Sequence, residues 1–168
     1  AERVQVQGAE SGGTATLSRS TRCIYDATWS LDLWMDFNPS SFNYADVYLV
    51  SNVPAGAASV YGYFVRVGYS RDEVSLYRRD GNHIEKIIDG ADGATARSAV
   101  EAHIEVRRSQ GGRWDLYRSI NTTSDSLVHE GTAVDSTYRG NNYFSVQCWY
   151  TTSRRSGFHF EHIRVTGE

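Results

Sequence analysis

Between Trp29 and Phe37 the chain alternates without a break. Trp29, Leu31, Leu33, Met35 and Phe37 take the odd positions, and Ser30, Asp32, Trp34 and Asp36 the even ones. A strand sends successive side chains to opposite sides, so this segment buries one wide apolar face. Its other face presents an indole between two carboxylates. The same two-residue period predicts strands at about 2–7, 14–18, 22–26, 29–37, 45–51, 61–69, 73–79, 83–88, 101–108, 113–119, 127–130, 142–151 and 157–165. Turn-forming residues separate them: Gly12-Gly13, Asn38-Pro39, Pro54-Ala55-Gly56, Asp80-Gly81-Asn82, Gly111-Gly112 and Gly140-Asn141. Leu76–Ile87 and Ile104–Leu116 read as hairpins turning at 79–82 and 109–112. The one stretch with any helical character, Ala94–Ala102, lacks caps and reads as a loop entering a strand. Many short strands at near-regular spacing predict an all-β, two-sheet antiparallel jelly-roll sandwich.

At 168 residues a single domain over 1–168 is expected, with a substantial core. A net charge of -3, with its arginine pairs scattered, gives no electrostatic footing for nucleic acid. No apolar run approaches the roughly 18 residues of a membrane helix, so no membrane insertion is expected. The chain starts at Ala1 with no leader sequence, which reads as a mature or trimmed product. Eleven tyrosines and four tryptophans beside two prolines suit strands, and also contact surfaces for sugars or proteins. Cys23 and Cys148 lie near the two ends. A bridge would close a loop of roughly 125 residues and stabilise by about 4–5 kcal/mol in the chain-entropy model. Two free thiols fit equally, since Cys148 sits in an alternating strand where a small apolar group packs well.

Four segments in order, Asn43–Leu49, Gly62–Gly68, Asp72–Arg78 and Tyr143–Cys148, with a closing Phe158–Ile163, carry a resemblance. Together they are similar to the concanavalin A-like, laminin-G-like jelly-roll domains of large secreted Bacteroidetes proteins. The resemblance spans roughly 25–165. It implies a secreted or cell-surface setting, a place within a longer polypeptide, and glycan or protein ligands. It supplies no catalytic residue.

With the odd face of 29–37 in the core, Asp32, Trp34 and Asp36 point outward. In 143–151, Phe144, Val146, Cys148 and Tyr150 form the natural core set, leaving Gln147 and Trp149 outside. Tyr48 and Arg66 belong to the outward sets of their strands. The expected site is therefore one concave, wet sheet face lined by Trp34, Trp149, Tyr48, Arg66, Gln147, Asp32 and Asp36. Rings would stack on sugar C–H faces, while carboxylates, amide and guanidinium would select hydroxyls. The partner would be a polysaccharide or other glycan, bound without catalysis. A laminin-G-like reading instead makes a surface protein the partner, through Tyr61, Tyr69 and Tyr138.

An enzyme is the less favoured reading. Asp32 and Asp36 are roughly 13 Å apart along an extended strand, too far for the carboxyl pair of a glycosidase. A lyase would want a Tyr or His base beside a charge-neutralising group, for which Tyr48, His103, Arg66 and Gln147 are available. Tyr143–Gln147 resembles the last strand of jelly-roll alginate lyases. The loop Asp89–Gly93 offers Asp89 and Asp92 as calcium ligands, but it lacks the twelve-residue EF-hand pattern and reads better as a plain turn whose aspartates cap backbone amides. His159 and Glu161 share a strand face that His162 does not, which disfavours zinc. Asn121-Thr122-Thr123 matches a glycosylation acceptor.

Overall fold

The computed structural model describes residues 3–122, 126–140 and 142–168, and these form two six-stranded antiparallel sheets. The first sheet has the order β1-β12-β3-β8-β9-β10 and the second β2-β11-β4-β5-β6-β7. The strands of the first sheet are β1 (Arg3–Gln5), β12 (Phe158–Thr166), β3 (Ala27–Met35), β8 (Val100–Arg108), β9 (Arg113–Ile120) and β10 (Val128–Val134). Those of the second are β2 (Gly13–Ser20), β11 (Tyr143–Tyr150), β4 (Tyr44–Ser51), β5 (Tyr61–Gly68), β6 (Glu73–Asp80) and β7 (His83–Ile88). This is the all-β sandwich that the alternation predicts. The strand expected at 22–26 does not form; that segment is a loop tied by Ile24 and Tyr25 amides to the Glu168 carbonyl. Glu2, Thr123 and Asn141, which belong to the predicted first strand, the acceptor sequence and the Gly140-Asn141 turn, lie outside the described residues.

The alternation places the core as expected. Along β3 the odd residues are buried and the even ones are half-covered. Opposite them, β11 contributes Phe144, Val146, Cys148 and Tyr150. Trp29 stacks on Trp114 at 5.7 Å, and Tyr63 of the other sheet meets Trp114 at 4.6 Å, so three large rings join the layers. Arg108 lies among them, its guanidinium 4.6 Å from the Trp114 and Tyr25 rings and donating to the Tyr138 carbonyl. Burial lowers its pKa from the usual arginine value. Cys23 and Cys148 are both free thiols. Burial pushes the Cys148 thiol well above its ordinary range, as suits an inert core residue.

Both predicted hairpins form. Gly81 takes the left-handed conformation (φ +67°) between β6 and β7, as a two-residue turn requires. At Gly62 a Cβ would lie 2.1 Å from the Val50 carbonyl oxygen, beside the irregular step where β4 pairs with β5. Among the described residues no helix is long and apolar enough to cross a membrane.

Candidate functional site

The outer face of the second sheet gathers aromatic and charged side chains from four strands. It follows from register. Gln147 of β11, Asp46 of β4, Arg66 of β5 and Ser75 of β6 stand side by side in one row across four strands. The next row on one side brings Trp149 beside Tyr44, and on the other Ser145, Tyr48, Phe64 and Tyr77.

Arg66 is the centre of this face. It binds both oxygens of Asp46, at 2.8 and 3.0 Å, a bidentate geometry that a guanidinium fork matches. Its guanidinium carbon also lies 4.8 Å from the Tyr44 and Tyr69 rings, 5.3 Å from Phe64 and 5.5 Å from Tyr77. Desolvation pushes the Asp46 carboxyl up, while Arg66 and the Trp149 indole pull it back. Burial works against the charge on Arg66 too, but Asp46 and the surrounding phenols hold the guanidinium fully protonated.

Aromatic groups run to both sides. Trp149 and Tyr44 stack with ring centroids 5.8 Å apart and planes 14° apart, and Tyr44 meets Tyr69 edge-on at 4.9 Å. Trp149 keeps 36% of its surface exposed. On the far side, Tyr48, Phe64 and Tyr77 form a continuous stack. The segment between β4 and β5 folds over them, packing Val53, Ala55 and Val60 against the rings. The Ala55 amide donates to Ser145 Oγ, which fastens this segment across β11. Beyond β6, Lys86 bonds Glu73 and Asp89. Among the described residues, two buried acceptors on this face have no partner: Gln147 Oε1 and Glu73 Oε2.

The expected single surface divides in two. Tyr48, Arg66, Gln147 and Trp149 belong to this face. Asp32 and Trp34 lie on the outer face of the first sheet, on the opposite side of the sandwich, with Asp36 just past the end of β3. Alternation tells which residues leave the core but not which exterior they reach. On that other side Asp32 is held between His103 and His162, each 2.6 Å from one carboxylate oxygen. Asp36 meets His159 Nε2 at 3.0 Å. Trp34 stands between Glu101 and His159 in the register.

The two aspartates expected to hold calcium do not converge. Asp89 bonds Lys86, whose ammonium lowers the Asp89 pKa, and Asp92 bonds Arg71. Among the described residues no group of three or more His, Cys, Asp or Glu side chains could hold a metal ion. The tyrosines named for protein contact also separate. Tyr69 packs against Tyr44 and lies beneath Arg66, while Tyr61 and Tyr138 touch edge-on at another corner.

No family model and no curated protein matches the chain. Its fold is that of a lectin-type jelly-roll sandwich. The carbohydrate-binding module CBM66 from Bacillus subtilis is similar, with a TM-score of 0.62 and 18% identity over 98% of this chain and 95% of that one. The exoplasmic/lumenal domain of VIP36, solved with Ca2+ and Man3GlcNAc, aligns with a TM-score of 0.67 and 12% identity over 97% and 76%. A legume lectin-like domain from Entamoeba histolytica gives 0.66 and 9% over 99% and 84%. At such identities the likeness establishes the architecture.

Sequence reasoning missed Tyr44, Glu73 and Tyr77. The signal was there: β6 alternates Glu73, Ser75, Tyr77 and Arg79 against Val74 and Leu76, and Tyr44 precedes Asp46 by one outward step. The covering segment carried none, because its apolar residues are too few to show a period.

Proposed function

We propose that this chain is a non-catalytic glycan-binding module, and that its ligand lies on the outer face of the second sheet beside Trp149. The observation that carries the reading is the half-exposed indole of Trp149 stacked on Tyr44, next to a row of polar side chains. An indole face is an apolar platform for the C–H side of a sugar ring. Gln147, two residues along β11, holds a buried acceptor with no partner, and sugar hydroxyls are donors that such an acceptor takes. Arg66 and Asp46 serve here as a rigid charged floor, since each already satisfies the other. The three solved relatives include a carbohydrate-binding module and a glycan-bound lectin domain, which agrees with this ligand class.

The reading is non-catalytic because the carboxylates considered for chemistry are engaged. Asp32 is paired with two histidines and Asp36 with His159. A pair of free carboxyl groups at glycosidase spacing is what hydrolysis would need. We place the domain on a secreted or cell-surface protein, as a single unit of a longer chain.

The test is affinity electrophoresis against a panel of neutral and acidic polysaccharides, with each lane assayed for product. Retardation by a neutral polysaccharide without product, lost in Trp149→Ala and kept in Trp34→Ala, is the expected result. Loss with Trp34→Ala alone would move the site to the opposite face, and new reducing ends or unsaturated sugars would make the protein an enzyme.

A further inference from the structure

At the open side of the sandwich, the edge strand β2 and the end of β12 leave a cleft that no residue of the Trp149 face enters. A cavity of about 490 Å³ lies there, between Arg19 to Cys23, Phe144 and the segment Ile163 to Val165. A second, of about 470 Å³, shares Ser20, Thr21 and Arg22 with the first and extends to Asn142. The two therefore adjoin and form one trough.

Its charge is one-sided. Arg19, Arg22 and Arg164 line the first cavity, and no carboxylate does. All three arginines are exposed, and among the described residues none makes an ion pair or a side-chain hydrogen bond. Arg66, Arg71, Arg78, Arg107, Arg113 and Arg118 are each paired with an acid, whereas these three are not. Three free guanidinium groups around one hollow, in a chain of net charge -3, repel one another unless an anion joins them. The hydroxyls of Ser20 and Thr21 and the Phe144 ring complete a lining with polar and apolar parts.

We propose that this trough binds an acidic oligosaccharide, one bearing sulfate esters or uronate carboxylates. Planar guanidinium forks match both groups in bidentate fashion. The size favours a saccharide over a lone ion, since a single anion is far smaller than either cavity. Each cavity is of the size that holds a small ligand. The proposal takes its ligand class from the glycan-binding reading but uses none of the residues of the Trp149 face.

The experiment measures binding of a sulfated dextran oligosaccharide, the same oligosaccharide unsulfated, an oligogalacturonate and inorganic sulfate, by calorimetry at low and high salt. The expected result is binding of a charged oligosaccharide, weakened by salt. It should fall about tenfold or more in Arg19→Gln/Arg164→Gln and further in Arg22→Glu, and stay unchanged in Trp149→Ala. These side chains are exposed, and unchanged thermal midpoints would confirm that the variants fold. Equal binding of the unsulfated oligosaccharide, equal affinity for inorganic sulfate, or arginine variants that bind like the parent would each overturn the proposal. Acidic binding that persists in Trp149→Ala while every neutral glycan fails would uphold this trough and remove the Trp149 site.

Discussion

Removing Asp46 should cost far more than removing it together with Arg66. The Asp46 side chain is 2% exposed and that of Arg66 12%, and the two share two hydrogen bonds. Asp46→Ala leaves a guanidinium largely cut off from water with no counter-charge. Breaking a buried pair by deleting one partner costs about 3–5 kcal/mol. The four rings around Arg66 and its small outlet to solvent soften this, which places the expected loss at the low end, about 3 kcal/mol. For a chain of this size that lowers the thermal midpoint by about 6–12 °C. Asp46→Leu/Arg66→Met removes both charges and keeps apolar volume among Tyr44, Phe64 and Tyr77, so it should fall within about 1 kcal/mol of the parent. Urea unfolding followed by tryptophan fluorescence, run as a double-mutant cycle on Asp46→Leu, Arg66→Met and the pair, gives the coupling energy, expected at about 2 kcal/mol or more. High salt should barely change it, because the pair is buried. Asp46→Ala within about 0.5 kcal/mol of the parent, or a double variant as unstable as the sum of its singles, would refute the account of this floor.

Asp135 joins the layers by accepting from Tyr63 and Arg78 at 2.5 Å each. Burial raises its pKa, but those bonds and the Thr137 amide outweigh it, so the carboxyl sits below its ordinary value. A depressed acid stabilises fully above the unfolded value of about 3.9 and loses that stability as pH falls through the lower folded one. Asp135→Asn should therefore cost about 2 kcal/mol at neutral pH, and the gap to the parent should close in acid; a gap constant from neutrality to strong acid would show that the charge is irrelevant. Gly62→Ala would drive a Cβ to 2.1 Å from the Val50 oxygen, so chemical denaturation should reveal a loss of about 3 kcal/mol, and a neutral result would mean that β4 and β5 separate freely there.

Residues that act within their own strand were legible without the fold. The period of two identified Trp29, Leu31, Leu33 and Met35 as core and sorted β11 into its buried and outward sets. Gly81 and Gly112, both at positive φ, marked the hairpins. These readings hold because pleating is a local property: a side chain's side is set by its place in the strand. The strand expected at 22–26 failed where that logic has no partner, since β2 and β12 are the neighbouring strands there and the segment instead bonds to the chain end.

What the sequence determined by itself is thus the class of fold, the strands and which side chains leave the core. Only the tertiary structure decided where they go. Trp34 and Trp149 are both outward, but β3 and β11 lie in different sheets, so the two indoles face away from each other across the sandwich. Sheet membership depends on pairing between strands far apart in the chain, such as Trp34 with Glu101 and Trp149 with Tyr44, and no short window records it. The same long-range pairing set Asp46 against Arg66, gathered four rings around that pair, and brought Arg19 and Arg164 to one trough from distant parts of the sequence.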